Sequence, residues 1–307
     1  MQKNIGIDIG GTKIRIGVID GKAHILAMEK LPMQHIPAGQ MIGRICDAAE
    51  RMLEKAGLCM EEIGGVGIGV PGTVDHETGA IEYCPNIGWT GQPAGKYFRG
   101  RWNKNIAIDQ DSRLAALGEA LYGAGRGYGS IACITLGTGI GCGVVMDGKI
   151  FRGGMNTAGE LGHICVEPGG RRCACGNRGC LERYCSGTGI LLGARERFSQ
   201  KLDAGARTED VFEMAYGGDG DALALIADCV RILAQGIVAL VNVLSPEAVI
   251  LSGGLCAHEK LLVEPLKERV YAQGYPAWTN RKKLAVKKAE LGEYAPLVGA
   301  AAIGTGA

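Results

Sequence analysis

The chain has 307 residues, with 33 Lys and Arg against 32 Asp and Glu, enough for two domains or one large α/β unit with a substantial core. So even a balance argues against a protein built chiefly for nucleic acid, which needs a basic face for phosphate. The 51 glycines fall in tight clusters rather than a collagen period, and 12 cysteines behind an N-terminus without a secretory signal (MQKNIGIDIGG) point to a reducing cytoplasm.

Apolar or alternating runs at 5–9, 13–19 and 25–31 predict three consecutive strands, the first two joined by a turn at Gly10 and Gly11. Ile42, Ile45, Ala48, Ala49 and Leu53 recur at helical spacing and predict a helix over 41–53. A buried strand follows at 66–70, ending on Pro71 and Gly72, then a short strand at 106–108 and a helix over 114–121. The pattern restarts with strands at 131–136 and 142–146 around a turn of Gly137, Thr138 and Gly139. Residues 186–244 read as mainly helical, with a glycine-rich break at 217–220. A strand at 248–251 then runs into Ser252, Gly253 and Gly254, followed by a helix at 259–271, a strand near 284–287 and a final helix from Pro296. The most apolar stretch, 232–244, is too short to span a bilayer and carries Gln235 and Asn242, so a buried core helix and no membrane partner are expected. Strands alternating with crossover helices mean the α/β class. The restart near 112–130 implies two similar lobes with a cleft between them.

Two glycine loops share one design. DIGGTK (8–13) and LGTGIG (136–141) each follow an apolar strand and return into another. Neither fits the P-loop, and neither opens a helix as a dinucleotide fingerprint does. Such loops can aim backbone N–H groups and a threonine hydroxyl at phosphate oxygens, or can be ordinary hairpin turns. Their pairing, with SGG (252–254) after a later strand, favours a split nucleotide site. Asp8 would orient a Mg²⁺-bound water or the phosphate, and Thr12 and Thr138 would supply hydroxyls.

Residues 162–182 read GHICVEPGGRRCACGNRGCLE. Cys173, Cys175 and Cys180 with His163 form the soft-ligand set of a tetrahedral metal site, and glycines let the loop wrap. A disulfide between Cys173 and Cys175 would be cramped, and no C-x-x-C is present for thioredoxin-like redox chemistry. Structural zinc is the reading, with free surface thiols as the alternative. Arg171, Arg172, Arg178 and Arg183 would suit a nucleic-acid knuckle, but no aromatic residue interleaves until Tyr184. Glu160 and Glu182 would also repel phosphate.

DIGGTK, GVPG (69–72), LGTGIG, GELGH (159–163), CACGNRGCLE (173–182) and SGG in this order resemble the ROK family (repressors, open reading frames and sugar kinases). That family belongs to the actin/hexokinase-like ATPase superfamily, with a two-lobed, ribonuclease H-like α/β fold and an interlobe cleft. The resemblance covers essentially the whole chain. It implies a small lobe of residues 1–112 plus about 294–307 and a large lobe of about 113–293 carrying the zinc loop. It also implies ATP with Mg²⁺, a structural Zn²⁺ and a hexose as ligands, a cytoplasmic homodimer, and no nucleic-acid partner.

Carried over by position, the resemblance makes Asp111 in QDSRLAALGE the catalytic base, with Asp109 as its local competitor. Gly72, Asn86, Gln110, Glu160, His163 and Glu182 become the sugar-binding set. Asp8, Gly10, Gly11, Thr12, Lys13, Gly137, Thr138, Gly139, Gly253 and Gly254 become the ATP-binding set. Glu160 can instead support the zinc ligands, and Asn86 can cap a turn. The chain departs from the family where Gln110 replaces an asparagine and Arg113 replaces a second one. Arg113 would hold Asp111 ionised or, if exposed, do nothing. The leading function is an ATP-dependent kinase acting on the primary hydroxyl of glucose, with fructose, mannose, allose or an N-acetylhexosamine as alternatives. The second is a sugar-responsive regulator of the same family. Such repressors carry a helix-turn-helix domain before the core, for which the seven residues ahead of Asp8 leave no room, and Asp111 argues for chemistry.

Overall fold

Isoleucine and valine alternating with glycine build the first of two compact units in the computed structural model, which describes residues 2–279 and 284–304. This unit comprises Met1–Ser130, Gly143–Ala158 and Glu290–Ala307; residues 305–307, the end of the expected small lobe, lie outside the described residues. β1 (Lys3–Ile9), β2 (Lys13–Asp20) and β3 (Ile25–Pro32) form an antiparallel meander. Helix α1 (Ala38–Lys55) then carries the chain to β4 (Ile63–Val70), parallel to β1. A ribbon of β5 (Thr73–Asp75) and β6 (Ala80–Tyr83) and helix α2 (Ala94–Arg101) precede β7 (Asn105–Gln110). Helix α3 (Asp111–Tyr122) starts on the end of β7 with no loop between them. The strand order is β3-β2-β1-β4-β7. The ribbon and α2 carry no period long enough to be read from sequence.

The second unit comprises Ile131–Cys142 and Gly159–Ala289. β8 (Ser130–Leu136) and β9 (Ile140–Met146) flank the Gly137 turn; the chain crosses between units inside β9, and β10 (Lys149–Ile150) pairs back on it. Four helices follow, α4 (Glu182–Cys185), α5 (Gly187–Phe198), α6 (Thr208–Tyr216) and α7 (Gly220–Leu244). β11 (Ala248–Ser252) lies parallel to β8, and a π turn leads into α8 (Glu264–Gln273). α9 (Pro276–Thr279) and β12 (Ala285–Lys288), parallel to β11, complete the sheet order β10-β9-β8-β11-β12.

The length argument for the apolar helix does not hold. α7 has 25 residues, because Asp219 caps the N–H groups of Asp221 and Ala222 and the apolar stripe starts there. By length and composition alone it passes as a membrane span. Its stripe through Leu225, Cys229, Leu233, Ile237 and Val241 is nevertheless buried, with Asp228 and Arg231 on another face. Burial on one side, rather than shortness, makes it a core helix.

α10 (Ala295–Ile303) returns to the first unit. A Cβ at Gly67 would overlap the Ala300 carbonyl, so only glycine lets β4 approach the helix this closely. Val66 and Ile68, on the opposite face of the same strand, join the core that α1 covers with Ile45, Ala49 and Met52. One alternating sequence thus serves two helices.

Candidate active site

The β7–α3 junction carries three candidate groups in a row. Asp109 is 1% exposed and fully engaged. Its Oδ1 accepts from the Gln110 N–H at 2.8 Å and Arg113 at 3.3 Å, and its Oδ2 accepts from Arg152 Nε at 2.8 Å. Arg113 therefore plays neither role expected of it. It is buried, and its hydrogen bonds go to Asp109, to the Asn156 side chain and carbonyl at 3.0 and 2.7 Å, and to the Ala158 carbonyl at 3.4 Å. Those acceptors engage both terminal nitrogens of a guanidinium that one helical turn brings back over Asp109, while its Nε is buried without a partner among the described residues.

Asp111 is half-buried, the first residue of α3, and its Oδ1 accepts the Ser112 N–H at 2.6 Å. A carboxylate there is favoured by the N-terminal end of the helix dipole. Beside it lies Cys84, whose thiol is pushed up to about 11 by burial and also by the Asp111 charge. A Cβ at Gly72 would press on the Cys84 side chain, so Gly72, Cys84 and Asp111 are gathered at one place. Asn86 stands exposed on a 3₁₀ turn just beyond.

The first glycine loop turns tightly, with Gly10 N–H donating to the Lys13 carbonyl at 2.9 Å and Gly11, Thr12 and Lys13 exposed. Asp8 is buried. Burial pushes its carboxyl up, and the Arg15 guanidinium at 2.7 Å opposes that. Lys13 reaches Glu293 at 3.4 Å.

In the second unit Gly137, Thr138 and Gly254 line a cavity of about 720 Å³. Gly253, at φ +93°, cannot be replaced without a Cβ falling on the Leu136 carbonyl, which draws the SGG turn against the Gly137 turn. Sequence reading missed the other walls: Gly187 and Thr188 at the start of α5, Arg207, Thr208 and Glu209 at the start of α6, and His258 stacked on Phe212 at 3.6 Å. Thr188 Oγ1 donates to the Thr138 carbonyl at 2.8 Å, tying α5 to the glycine turn. Two helix N-termini facing one cavity favour an anion such as a phosphate. The only local signal was the S-G-T-G run, in which Ser186 caps α5 by accepting the Gly189 N–H.

His163, Cys173, Cys175 and Cys180 come together, with ligand atoms all within 4.8 Å of one another. Cys173 Sγ lies 3.7 Å from His163 Nδ1, and Cys175 Sγ lies 3.6 Å from Cys180 Sγ. These match the edges, about 3.8 Å, of a tetrahedron with metal–sulfur bonds of about 2.3 Å. Burial raises the Cys175 thiol, but the Asn177 N–H and neighbouring thiols bring it below its ordinary value. Cys180 is pushed up to about 12 by burial and by the other two sulfurs. A cation lets all three ionise. His163 turns Nε2 the other way, 3.9 Å from Glu160. Glu182 closes the loop and accepts the Ile140 N–H at 2.9 Å, which fixes its carboxylate on the Gly139 turn.

The sequence matches the family model described as "ROK family" over residues 4–306. The chain belongs to the ROK family. Its ROK relatives include the glucokinase of Streptomyces coelicolor, 34% identical, the alignment covering 98% of this chain and 97% of that one. Among solved structures, the ROK hexokinase from Thermus thermophilus superposes with a TM-score of 0.84 at 31% identity, covering 98% and 97% of the two chains. A ROK glucokinase from Streptomyces griseus, in complex with glucose and AMPPNP, gives 0.83 at 32% identity, covering 99% and 100%. The α/β fold is thus the actin/hexokinase-like fold of ROK sugar kinases.

Proposed function

We propose that this ROK protein is an ATP-dependent hexose kinase that transfers the γ-phosphoryl group to the primary hydroxyl of glucose or a close relative. The observation that carries this reading is the division of labour at the β7–α3 junction. Asp109 is consumed by two arginines, whereas Asp111 lies half-buried at the first turn of α3, where the helix dipole favours its carboxylate. Asp111 accepts the hydroxyl proton as the sugar oxygen attacks in line. Gly72, Asn86, Gln110, Glu160, His163 and Glu182 are the residues that hold sugar hydroxyls in this reading. Backbone N–H groups of the Gly10–Gly11 and Gly137–Gly139 turns, with Thr12, Thr138, Gly253 and Gly254, hold the phosphates, and Lys13 adds a positive charge. Mg²⁺, when bound, neutralises charge developing on the phosphates, and Asp8 is the residue that would orient its water. His163 Nδ1 and the thiolates of Cys173, Cys175 and Cys180 would hold a structural Zn²⁺. Homodimerisation and a cytoplasmic setting complete the reading, the latter consistent with 12 cysteines and no disulfide among the described residues.

The test is a coupled ADP-release screen over glucose, fructose, mannose, allose and N-acetylhexosamines. Sugar-dependent release that disappears in Asp111→Asn is the expected result. Activity surviving that substitution removes Asp111 from the role. Sequence-specific DNA binding without ADP release would put the regulator reading in its place.

A further inference from the structure

Arg15 sits on β2 directly opposite Asp8 in the β1–β2 register. It is 7% exposed, and its guanidinium is divided between two carboxylates. One terminal nitrogen donates to Asp8 Oδ2 at 2.7 Å and the other to Glu293, while Nε is buried without a partner. Glu293 is itself anchored. The turn before it is held from α3, where fully buried Glu119 accepts the Glu290 N–H at 3.1 Å and the Leu291 N–H at 2.8 Å. A continuous chain of contacts therefore runs from α3, which begins with Asp111, through Glu119, the 290–293 turn, Glu293 and Arg15 to Asp8.

A buried ion pair with an unsatisfied donor is a poor stabiliser compared with apolar packing. Its place behind DIGGTK suggests a different use. Asp8 engages Oδ2 with Arg15, and among the described residues Oδ1 has no hydrogen-bond partner. A carboxylate with one oxygen pinned and the other open is a preset acceptor for a metal-bound water, and pinning removes the rotational freedom that would otherwise be lost on binding.

We infer that Arg15 is a positioning residue for phosphoryl transfer: it pins Asp8 so that Oδ1 receives the hydrated Mg²⁺ of the nucleotide, and Glu293 pins Arg15. This rests on the kinase reading above.

The experiment is calorimetric ADP binding to the full chain with and without Mg²⁺. The variants are Arg15→Met, Arg15→Lys, Asp8→Asn, the Arg15→Met/Asp8→Asn double variant and Glu293→Gln, each checked for folding by circular dichroism. Wild type should bind ADP about tenfold or more tightly with Mg²⁺. Arg15→Met should remove most of that gain while leaving metal-free ADP affinity within about threefold, and Asp8→Asn should remove most of the gain as well. The double variant should lose no more than Asp8→Asn alone. Arg15→Lys, which reaches one carboxylate at a time, and Glu293→Gln should keep part of the gain; they carry the comparison if Arg15→Met does not fold. Further weakening by Arg15→Met in the Asp8→Asn background would mean that Arg15 acts on phosphate directly and would overturn the inference. So would a full Mg²⁺ gain retained in Arg15→Met, and that result leaves the kinase reading standing. A wild-type chain that binds no ADP overturns both.

Discussion

Asp109→Asn should weaken the fold, and Asp111→Asn should silence the chemistry and leave the fold alone. The Asp109 and Arg113 side chains are 1% and 2% exposed. Removing the carboxylate charge leaves the Arg113 guanidinium buried and uncompensated, and breaking such a pair from one side costs about 3–5 kcal/mol. Arg152 is 29% exposed and can turn to water, and the amide oxygen can still accept the Gln110 N–H, so the lower end of that range applies. For a chain of this size each kcal/mol is worth about 2–4 °C, which predicts a melting temperature lowered by about 6–12 °C. Asp111→Asn keeps an acceptor for the Ser112 N–H and costs a helix-dipole contribution of about 0.5 kcal/mol. Its turnover should fall by about 10²–10⁴. Urea unfolding and ADP release, measured on both variants, separate the two effects. An Asp109→Asn protein as stable as wild type but inactive would refute the assignment of roles.

Metal analysis should find about one zinc per chain; Cys175→Ser should lose it and raise the hexose KM more than the ATP KM, and unchanged zinc content would count against the site. Gly67→Ala should destabilise by about 3 kcal/mol because the Ala300 carbonyl cannot move aside. Gly43→Ala, in α1 with open space around it, should stabilise by about 0.8 kcal/mol, and similar unfolding midpoints for the two would show the packing argument to be wrong. His258 is held below the ordinary imidazole value of 6.5 by burial, with Glu209 opposing. The unfolded chain binds the proton first, so this contribution to stability is present above pH 6.5 and lost as pH falls towards the folded value. His258→Phe should flatten the loss of stability between about pH 7.5 and 5.5, and parallel urea midpoints at the two pH values would refute it.

The central strands and α1 were legible because Ile5, Ile7, Val66 and Ile68 alternate with glycine and because Ile42, Ile45 and Ala49 keep helical spacing. Sequence periodicity had no purchase on the Asp109–Arg152 pair, whose partners lie on separate elements and meet only through tertiary folding. The nucleotide-sized cavity escaped for the same reason: Thr138, Thr188, Thr208 and His258 come from four different elements. The full length of α7 is hidden in the sequence because Asp228 and Arg231 separate the apolar run at 222–227 from the one at 232–244. His163 shows the same limit: its ring nitrogens face Cys173 and Glu160, neighbours that no local periodicity could pair.

The close approach of α10 to β4 also has a consequence for synthesis. β1 and β4 leave the ribosome well before α10, with the face that α10 will cover bare of side chains at Gly67. At about 5–20 residues per second the interval is on the order of ten seconds or more. The first unit cannot complete its core in that time. Nascent chains arrested before Ala295 would display an uncovered sheet and depend on chaperones.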